Sequence, residues 1–315
     1  MVRHRVGIVV PLSLALVSVV VAVATAGLLV TPEAVVTGKG DQWMPSANDE
    51  WVAYSHWVRS SPNQFSAYAL NVASQTKVKL NEAGTDGLTG ALDPGTNIVL
   101  YQQWDGRRSD LFFRDLDGDT RTKVAGVNSR YWEWYPLISS SFITFFRDRY
   151  VNGAWYTSMY VYRRDNEATR KLWTYRWTQV HSYNGSAGER YITYTLCRTT
   201  CQAYLYDWDE KDTRKIPSDG MEQYAPVVDE VNGTVYVTRS GGRCGVGVNV
   251  YRLPITLDAA AETVVDLPAG IDTGWTSAIA PNGVSGMMDL WFERWDCERK
   301  AADVYVARGV DNGPL

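Results

Sequence analysis

Residues 109–121 read Ser-Asp-Leu-Phe-Phe-Arg-Asp-Leu-Asp-Gly-Asp-Thr-Arg, SDLFFRDLDGDTR. Two readings compete for this stretch. Asp115, Asp117 and Asp119 stand at alternate positions around Gly118, as at the start of a calcium loop. The same letters describe an aromatic strand that ends in a tight turn, where Asp and Gly supply local hydrogen bonds and backbone freedom. No Glu follows at the bidentate position of such a loop. Matching segments occur at 67–77 (AYALNVASQTK), 159–171 (MYVYRRDNEATRK) and 203–215 (AYLYDWDEKDTRK), and none of them repeats the DxDGD spacing. The stretch is therefore read as a strand and hairpin turn, with Asp115, Asp117 and Asp119 as the candidate metal ligands of the competing reading.

Working outward, the aromatic of this strand recurs at Tyr68, Phe112, Tyr160, Tyr204, Tyr251 and Tyr305, at spacings of 44, 48, 44, 47 and 54 residues. Each copy is preceded by another short apolar strand: WVAYS from Trp51, IVLYQ from Ile98, FITFF from Phe142, YITYT from Tyr191, TVYVT from Thr234 and DLWFE from Asp289. The aromatics of that strand are placed at Tyr54, Tyr101, Phe145, Tyr194, Tyr236 and Trp291. A first strand and turn come before it, as in WYPLISSS at 134–141, and a fourth strand opens with Thr and a base, as in TRTKV at 120. Four short strands per unit, six times over, predict an all-β, six-bladed β-propeller of four-stranded antiparallel blades over residues 31–315. One unit cannot bury both of its faces; stacked radially, each blade covers the next. Only ten residues follow Tyr305, so the last blade lacks an outer strand. The segment 33–37 (EAVVT) resembles 262–266 (ETVVD), and residues 33–38 are expected to pair onto the C-terminal blade and close the ring.

Composition agrees with a globular, strand-rich chain: 45% hydrophobic, with 13 Trp, 19 Tyr and 26 Gly. Residues 1–30 read differently. Arg3 and Arg5 precede 25 uncharged residues, Val6–Val30, within which Ala24-Thr25-Ala26 offers a cleavage signal. This segment is a signal peptide or an N-terminal membrane anchor, and both readings export the remainder. Beyond it 29 basic residues face 35 acidic ones, which excludes a whole-protein basic field for nucleic acid. The expected location is extracellular or periplasmic, with membrane contact through residues 6–30 if they are retained.

The repeat resembles that of TolB-type propellers, in which S-P-D-G precedes an apolar strand and D-x-D-G follows an aromatic one. Ala280-Pro281-Asn282-Gly283 and Asp115-Leu116-Asp117-Gly118 match this pattern, and Leu92-Asp93-Pro94-Gly95 is a shuffled match. The resemblance covers about 35–315 and implies a secreted or periplasmic propeller. It does not extend to the extra α/β domain of TolB or to that protein's role in an envelope-spanning complex.

Four cysteines in an exported chain suggest two disulfides. Cys197 and Cys201 flank the turn between the second and third strands of blade four. Cys244 and Cys297 lie in the corresponding turns of neighbouring blades five and six. The expected pairs are Cys197–Cys201 and Cys244–Cys297; a four-thiolate metal site lacks its C-x-x-C spacing.

The turns between second and third strands gather on one face of a propeller. Here they hold Arg59, Arg107, Arg108, Arg147, Arg149, Arg198, Arg239, Arg243, Arg294, Arg299 and Lys300 against Asp105, Asp148, Glu293, Asp296 and Glu298. Trp57, Trp104, Trp155 and Trp295 share these turns. Arg forks bind carboxylate and phosphate, and aromatic rings stack on sugars or on Arg planes. Arg107, Arg108, Arg147, Arg149, Arg239, Arg243 and Arg294, with Trp104, Trp155 and Trp295, are the candidate ligand-binding residues. The simpler reading is solvated loop charge with Trp packed between blades. Catalytic candidates are sparse. His56 lies on the loop face and His181 begins an inner strand, and there is no G-x-S-x-G. The sequence thus points to a monomeric, non-catalytic scaffold without a cofactor, binding an envelope protein or an anionic cell-surface polymer. The alternative is a lyase or hydrolase acting on an acidic glycan at the channel mouth. The aromatic clusters at 131–136 (YWEWYP) and 175–179 (YRWTQ) are read as core packing between blades. Two glycosylation sequons, Asn184-Gly185-Ser186 and Asn232-Gly233-Thr234, are placed in turns.

Overall fold

A computed structural model describes residues 32–58, 64–240, 249–266, 271–272, 277–281 and 287–311. Alternating apolar residues with turn-forming Asp, Asn and Gly produce six antiparallel sheets. Blade one runs Asp41–Ala47, Trp51–Trp57, Phe65–Asn71 and Lys77–Lys79, and blade two Asp86–Leu92, Ile98–Trp104, Ser109–Asp115 and Thr120–Lys123. Blade three is Trp132–Ile138, Phe142–Val151, Ala154–Arg163 and Thr169–Arg176. Blade four is His181–Ala187, Tyr191–Cys197, Cys201–Asp207 and Asp212–Lys215. Blade five is Glu222–Asp229, Thr234–Ser240, Asn249–Pro254 and Glu262–Asp266. Blade six takes Ile271–Asp272 and Ser277–Pro281 on its inner side, then Met287–Asp296 and Ala301–Asp311. Its outer strand is Glu33–Val36, antiparallel to Ala301–Asp311 with Glu33 opposite Val306. The N-terminal strand therefore closes the ring.

Closure is sealed by packing as well as by the ladder. Val36 is buried with Val304, Val306, Trp291 and Tyr54, joining blade six to blade one. Arg308 bridges Glu33 and Asp289. A chain beginning at Asp41 forfeits the Val36 contacts and exposes a strand edge. It should be less stable than one beginning at Gly27 by about 2 kcal/mol, the worth of one buried Val, and urea melts of the two compare them directly.

The repeated aromatics form the blade interfaces. In blades one to four the second- and third-strand aromatics stand directly opposite each other and stack: Tyr54 on Tyr68, Tyr101 on Phe112, Phe145 on Tyr160 and Tyr194 on Tyr204, with centroids 5.4–5.9 Å apart. Each stack faces the preceding blade. The expected positions in blades five and six are off by one residue. Val237 opposes Tyr251 and Phe292 opposes Tyr305, while Tyr236 and Trp291 point to the following blade. In a strand, one step in sequence exchanges the two faces. Both faces of a propeller blade are apolar, so an aromatic alone does not reveal which face it takes.

The opening stretch is a strand and a hairpin turn. Asp115 Oδ1 accepts the Asp117 and Gly118 amides at 3.0 Å. Asp117 accepts from Asn97, and Asp119 pairs with Arg114 at a backbone φ of 49°. Asp207 caps its own turn in the same way, which marks a hairpin device used in more than one blade. The three carboxylates are thus spent on three different partners. One sequon also moves: Asn184-Gly185-Ser186 lies inside the inner strand His181–Ala187 instead of in a turn.

The inner strands wall the channel through a repeated bulge. Their register shifts at Trp43/Ser46, Thr89/Ala91, Trp134/Leu137, Asn184/Ala187 and Tyr224/Val227. In blades one, three and five the bulge is a left-handed residue followed by Pro: Met44-Pro45, Tyr135-Pro136 and Ala225-Pro226. In blades two and four the corresponding place holds Gly90 and Gly185, each lying against the Pro of the next blade.

Candidate functional site

Cavities among the described residues are walled by the inner strands and by strand ends. One, of about 300 Å³, is largely apolar and is walled by the bulges, including Pro45, Pro136, Tyr183 and Met288. Another, of about 360 Å³, opens on the face where second strands turn into third strands. Its walls come from the ends of strands in blades one to three. Trp104 ends the second strand of blade two, Trp132 and Trp134 begin blade three, and Trp177 follows its last strand. Asp86 and Asp148 supply the charge.

The aromatic walls are held by packing. Trp134 lies 4.8 Å from Tyr135 and 4.9 Å from Phe146 between ring centroids. Trp132 packs against Trp155 in a tilted pair with centroids 4.9 Å apart, and Trp155 against Tyr150 in another at 5.3 Å. The Trp132 indole donates to the Arg107 carbonyl at 3.2 Å, and the Trp177 amide to the Trp155 carbonyl at 3.0 Å. The expectation that both aromatic clusters are core holds only for part of them. Trp134, Tyr135 and Tyr175 pack against the blade three–four core, whereas Trp132 and Trp177 are exposed by 39% and 52%. The sequence pattern gives no sign of this difference, because surface and core Trp share the same strand face.

Burial pushes both carboxyls above the usual Asp range. For Asp86 the Phe65 amide, donating at 3.1 Å, and the charge of Lys79 oppose the shift. For Asp148 the opposing groups are Thr157, whose hydroxyl donates at 2.6 Å, and Trp134. Asp86 opens the first strand of blade two, outside the turns between second and third strands, and Asp148 is one acid among many bases in those turns.

The predicted Arg residues separate into two groups. Arg147 is paired with the fully buried Glu133 at 2.7 Å, donates to the Val127 carbonyl at 2.6 Å and lies 4.7 Å over Tyr160. Arg239 has 2% of its side chain exposed and is held by Asp219 and the Pro217 carbonyl, both at 2.5 Å. Both hold the fold together. Arg108 pairs with Asp110 at 3.0 Å, and Arg299 with Asp296 and Asp303. Arg107 is exposed beside Trp104, Arg149 is half-buried over Tyr131, and Arg294 lies 4.7 Å over Tyr305. Arg243 lies outside the described residues. Trp295 is half-buried and pairs in register with Asp272. Acids on the inner strands and on the linking turns, among them Glu133 and Asp219, absorb much of the loop charge, and a count over the loops alone leaves them out.

The two candidate catalytic histidines, His56 and His181, lie in blades one and four and do not meet. His56 Nε2 lies 2.8 Å from the Lys39 carbonyl in blade one, and His181 is exposed opposite Cys197 in blade four. Among the described residues no group of three His, Cys, Asp or Glu is arranged to hold a metal ion. Cys197 and Cys201 form a disulfide across the hairpin they flank. Cys297 is disulfide-bonded as well, and its expected partner Cys244 lies outside the described residues. Among the described residues no helix is long and apolar enough to cross a membrane; residues 6–30 lie outside them.

No family model matches the chain, and no curated protein matches it by sequence. Solved structures do. TolB from Acinetobacter baumannii is 11% identical with a TM-score of 0.52, and the match covers 85% of this chain and 66% of that one. A putative TolB from Agrobacterium tumefaciens is 13% identical with a TM-score of 0.53, over 85% and 90% of the two chains. An oligogalacturonate lyase from Vibrio parahaemolyticus is 11% identical with a TM-score of 0.50, over 88% and 85%. Likeness at this level of identity speaks to architecture, which hosts both binding proteins and enzymes. In fold, this chain is a TolB-like β-propeller.

Proposed function

We propose that this protein is an exported, non-catalytic scaffold that docks an envelope protein through the loop face of blades two and three. The observation that carries this reading is the distribution of exposed apolar side chains. Of the six large hydrophobic residues exposed among the described ones, Trp104, Trp132 and Trp177 line the aromatic cavity, and Tyr150 joins them through Trp155, which contacts Trp132; Val151 follows Tyr150 in the chain and Val231 is elsewhere. A contiguous apolar patch of this kind, rich in Trp and Tyr and rimmed by Arg107 and Arg108, has the composition of a protein interface. The Cys197–Cys201 disulfide and the apolar N-terminal segment agree with an oxidising, exported setting. A second reading rests on the exposed Arg107 and Arg108 beside Trp104: an anionic polymer lying across the same face.

Photo-cross-linking in an exporting host tests the first reading. A cross-linking amino acid at Trp177 or Tyr150 should trap one discrete envelope protein, and the same group at Val231 should not. Equal products from all three positions would remove the docking face. Salt-sensitive retention on an anionic polysaccharide, with no protein adduct, would favour the second reading.

A further inference from the structure

We infer that the aromatic cavity between blades two and three receives a basic side chain, an arginine or lysine of the docking partner. This deepens the reading above and rests on it. The cavity holds two carboxylates, Asp86 and Asp148, and no Lys, Arg or His among its lining residues. Neither carboxylate has an ion-pair partner within 4 Å among the described residues. Asp86 accepts one backbone amide and feels Lys79 only through space, and Asp148 accepts the Thr157 hydroxyl and is stabilised by the Trp134 side chain. Other acids do meet bases: Asp110, Glu133 and Asp219 are each tied to an Arg. Two carboxylates thus stand without an ion-pair partner inside walls made of Trp104, Trp132 and Trp177.

That combination selects a cation. Indole faces carry negative potential and attract ammonium and guanidinium groups, and a desolvated setting strengthens the attraction. A planar guanidinium can stack on one ring while its edge donates two hydrogen bonds to a carboxylate. The protein already uses this pairing internally. The Arg147 guanidinium meets both Glu133 and the face of Tyr160, and Arg308 meets Asp289 with its carbon 5.7 Å from the Trp291 ring centroid. A cavity of about 360 Å³ is within the range of small-ligand sites and accommodates one side chain. An anionic or neutral occupant would leave the two carboxylates without an ion-pair partner.

The test is a titration of the full-length protein with N-acetyl-arginine methylamide, N-acetyl-lysine methylamide, the neutral citrulline analogue and tetramethylammonium, read by indole N–H resonances. The arginine and lysine probes should bind, and the citrulline analogue should be about tenfold weaker, because it keeps the shape and loses the charge. Asp86→Asn and Asp148→Asn should each weaken the arginine probe about fivefold, and Trp177→Ala, at an exposed position where folding is not at stake, should do the same. Equal binding of the arginine and citrulline probes would overturn the inference, as would no binding of either. Tetramethylammonium binding more tightly than both amino-acid probes would also overturn it, by assigning the cavity to a free quaternary ammonium. These outcomes are separable from failure of the docking reading. A cross-link at Trp177 that persists in the Asp86→Asn, Asp148→Asn double variant would leave the docking face standing and remove the anchor.

Discussion

Replacing Glu133 by Ala should destabilise the protein by about 3–5 kcal/mol, measured by urea unfolding, because it leaves the Arg147 charge in a site that cannot solvate it. Glu133 is fully buried. Its Oε1 accepts from Arg147 Nε at 2.7 Å and from the Ser129 hydroxyl at 2.6 Å, and Arg147 reaches on to the Val127 carbonyl. Arg147→Ala should cost a similar amount, since the orphan is then the carboxylate. The Glu133→Met, Arg147→Met double variant should lose much less than the sum of the single losses. Taking two charges out of water offsets most of their attraction, and an apolar pair avoids that cost. Loss equal to the sum would show that the two side chains do not act as a pair.

The same carboxyl gives a pH dependence of known sign. Burial raises its proton affinity above the ordinary Glu value of 4.5, against the opposing effects of Ser129 and Arg147. Above 4.5 the folded state therefore holds this proton more firmly than the unfolded chain does. Its contribution to stability is full below 4.5 and declines as pH rises through the raised value. Glu133→Gln should flatten that part of the stability profile, and a profile of unchanged slope would contradict the assignment.

Gly90→Ala should cost about 3 kcal/mol, and Gly185→Ala a similar amount, by overpacking the channel wall. A methyl at Gly90 would lie 2.1 Å from the Pro136 carbonyl oxygen and 2.6 Å from its Cγ. At Gly185 it would lie 2.2 Å from the Pro226 carbonyl oxygen and 2.5 Å from Thr193 Oγ1, which itself donates to that carbonyl at 2.6 Å. Both obstacles are largely backbone, so relief requires two blades to move apart. Gly153→Ala is the control. It has open space around it but a φ of +79°, and its cost should be about 1 kcal/mol from the backbone alone. If all three variants melt alike, the bulge does not set the spacing of the blades.

These predictions also divide what could be read in one dimension from what needed three. The six-bladed architecture was legible because it rests on local rules repeated at long period: alternation for strands, Asp and Gly for turns, and an aromatic per strand about 44–54 residues apart. Ring closure by residues 33–36 was legible for the same reason, since EAVVT repeats the outer-strand pattern of blade five. The hairpin disulfide followed from position in that repeat. The one-residue misplacement at Tyr236 and Trp291 marks the limit of the method, because with two apolar faces the period of a strand no longer distinguishes them.

The site was decided by tertiary structure. Arg147 and Arg239 are loop-face charges by sequence and become internal braces only because Glu133 and Asp219, from other segments of the chain, fold against them. Asp86, Asp148, Trp132 and Trp177 come from separate strand ends across 92 residues and meet in one cavity. Sequence determines which residues form strands and turns, since those preferences act between near neighbours. Which charge is neutralised and which ring stays exposed depends on distances between blades, and only closure of the ring sets those distances.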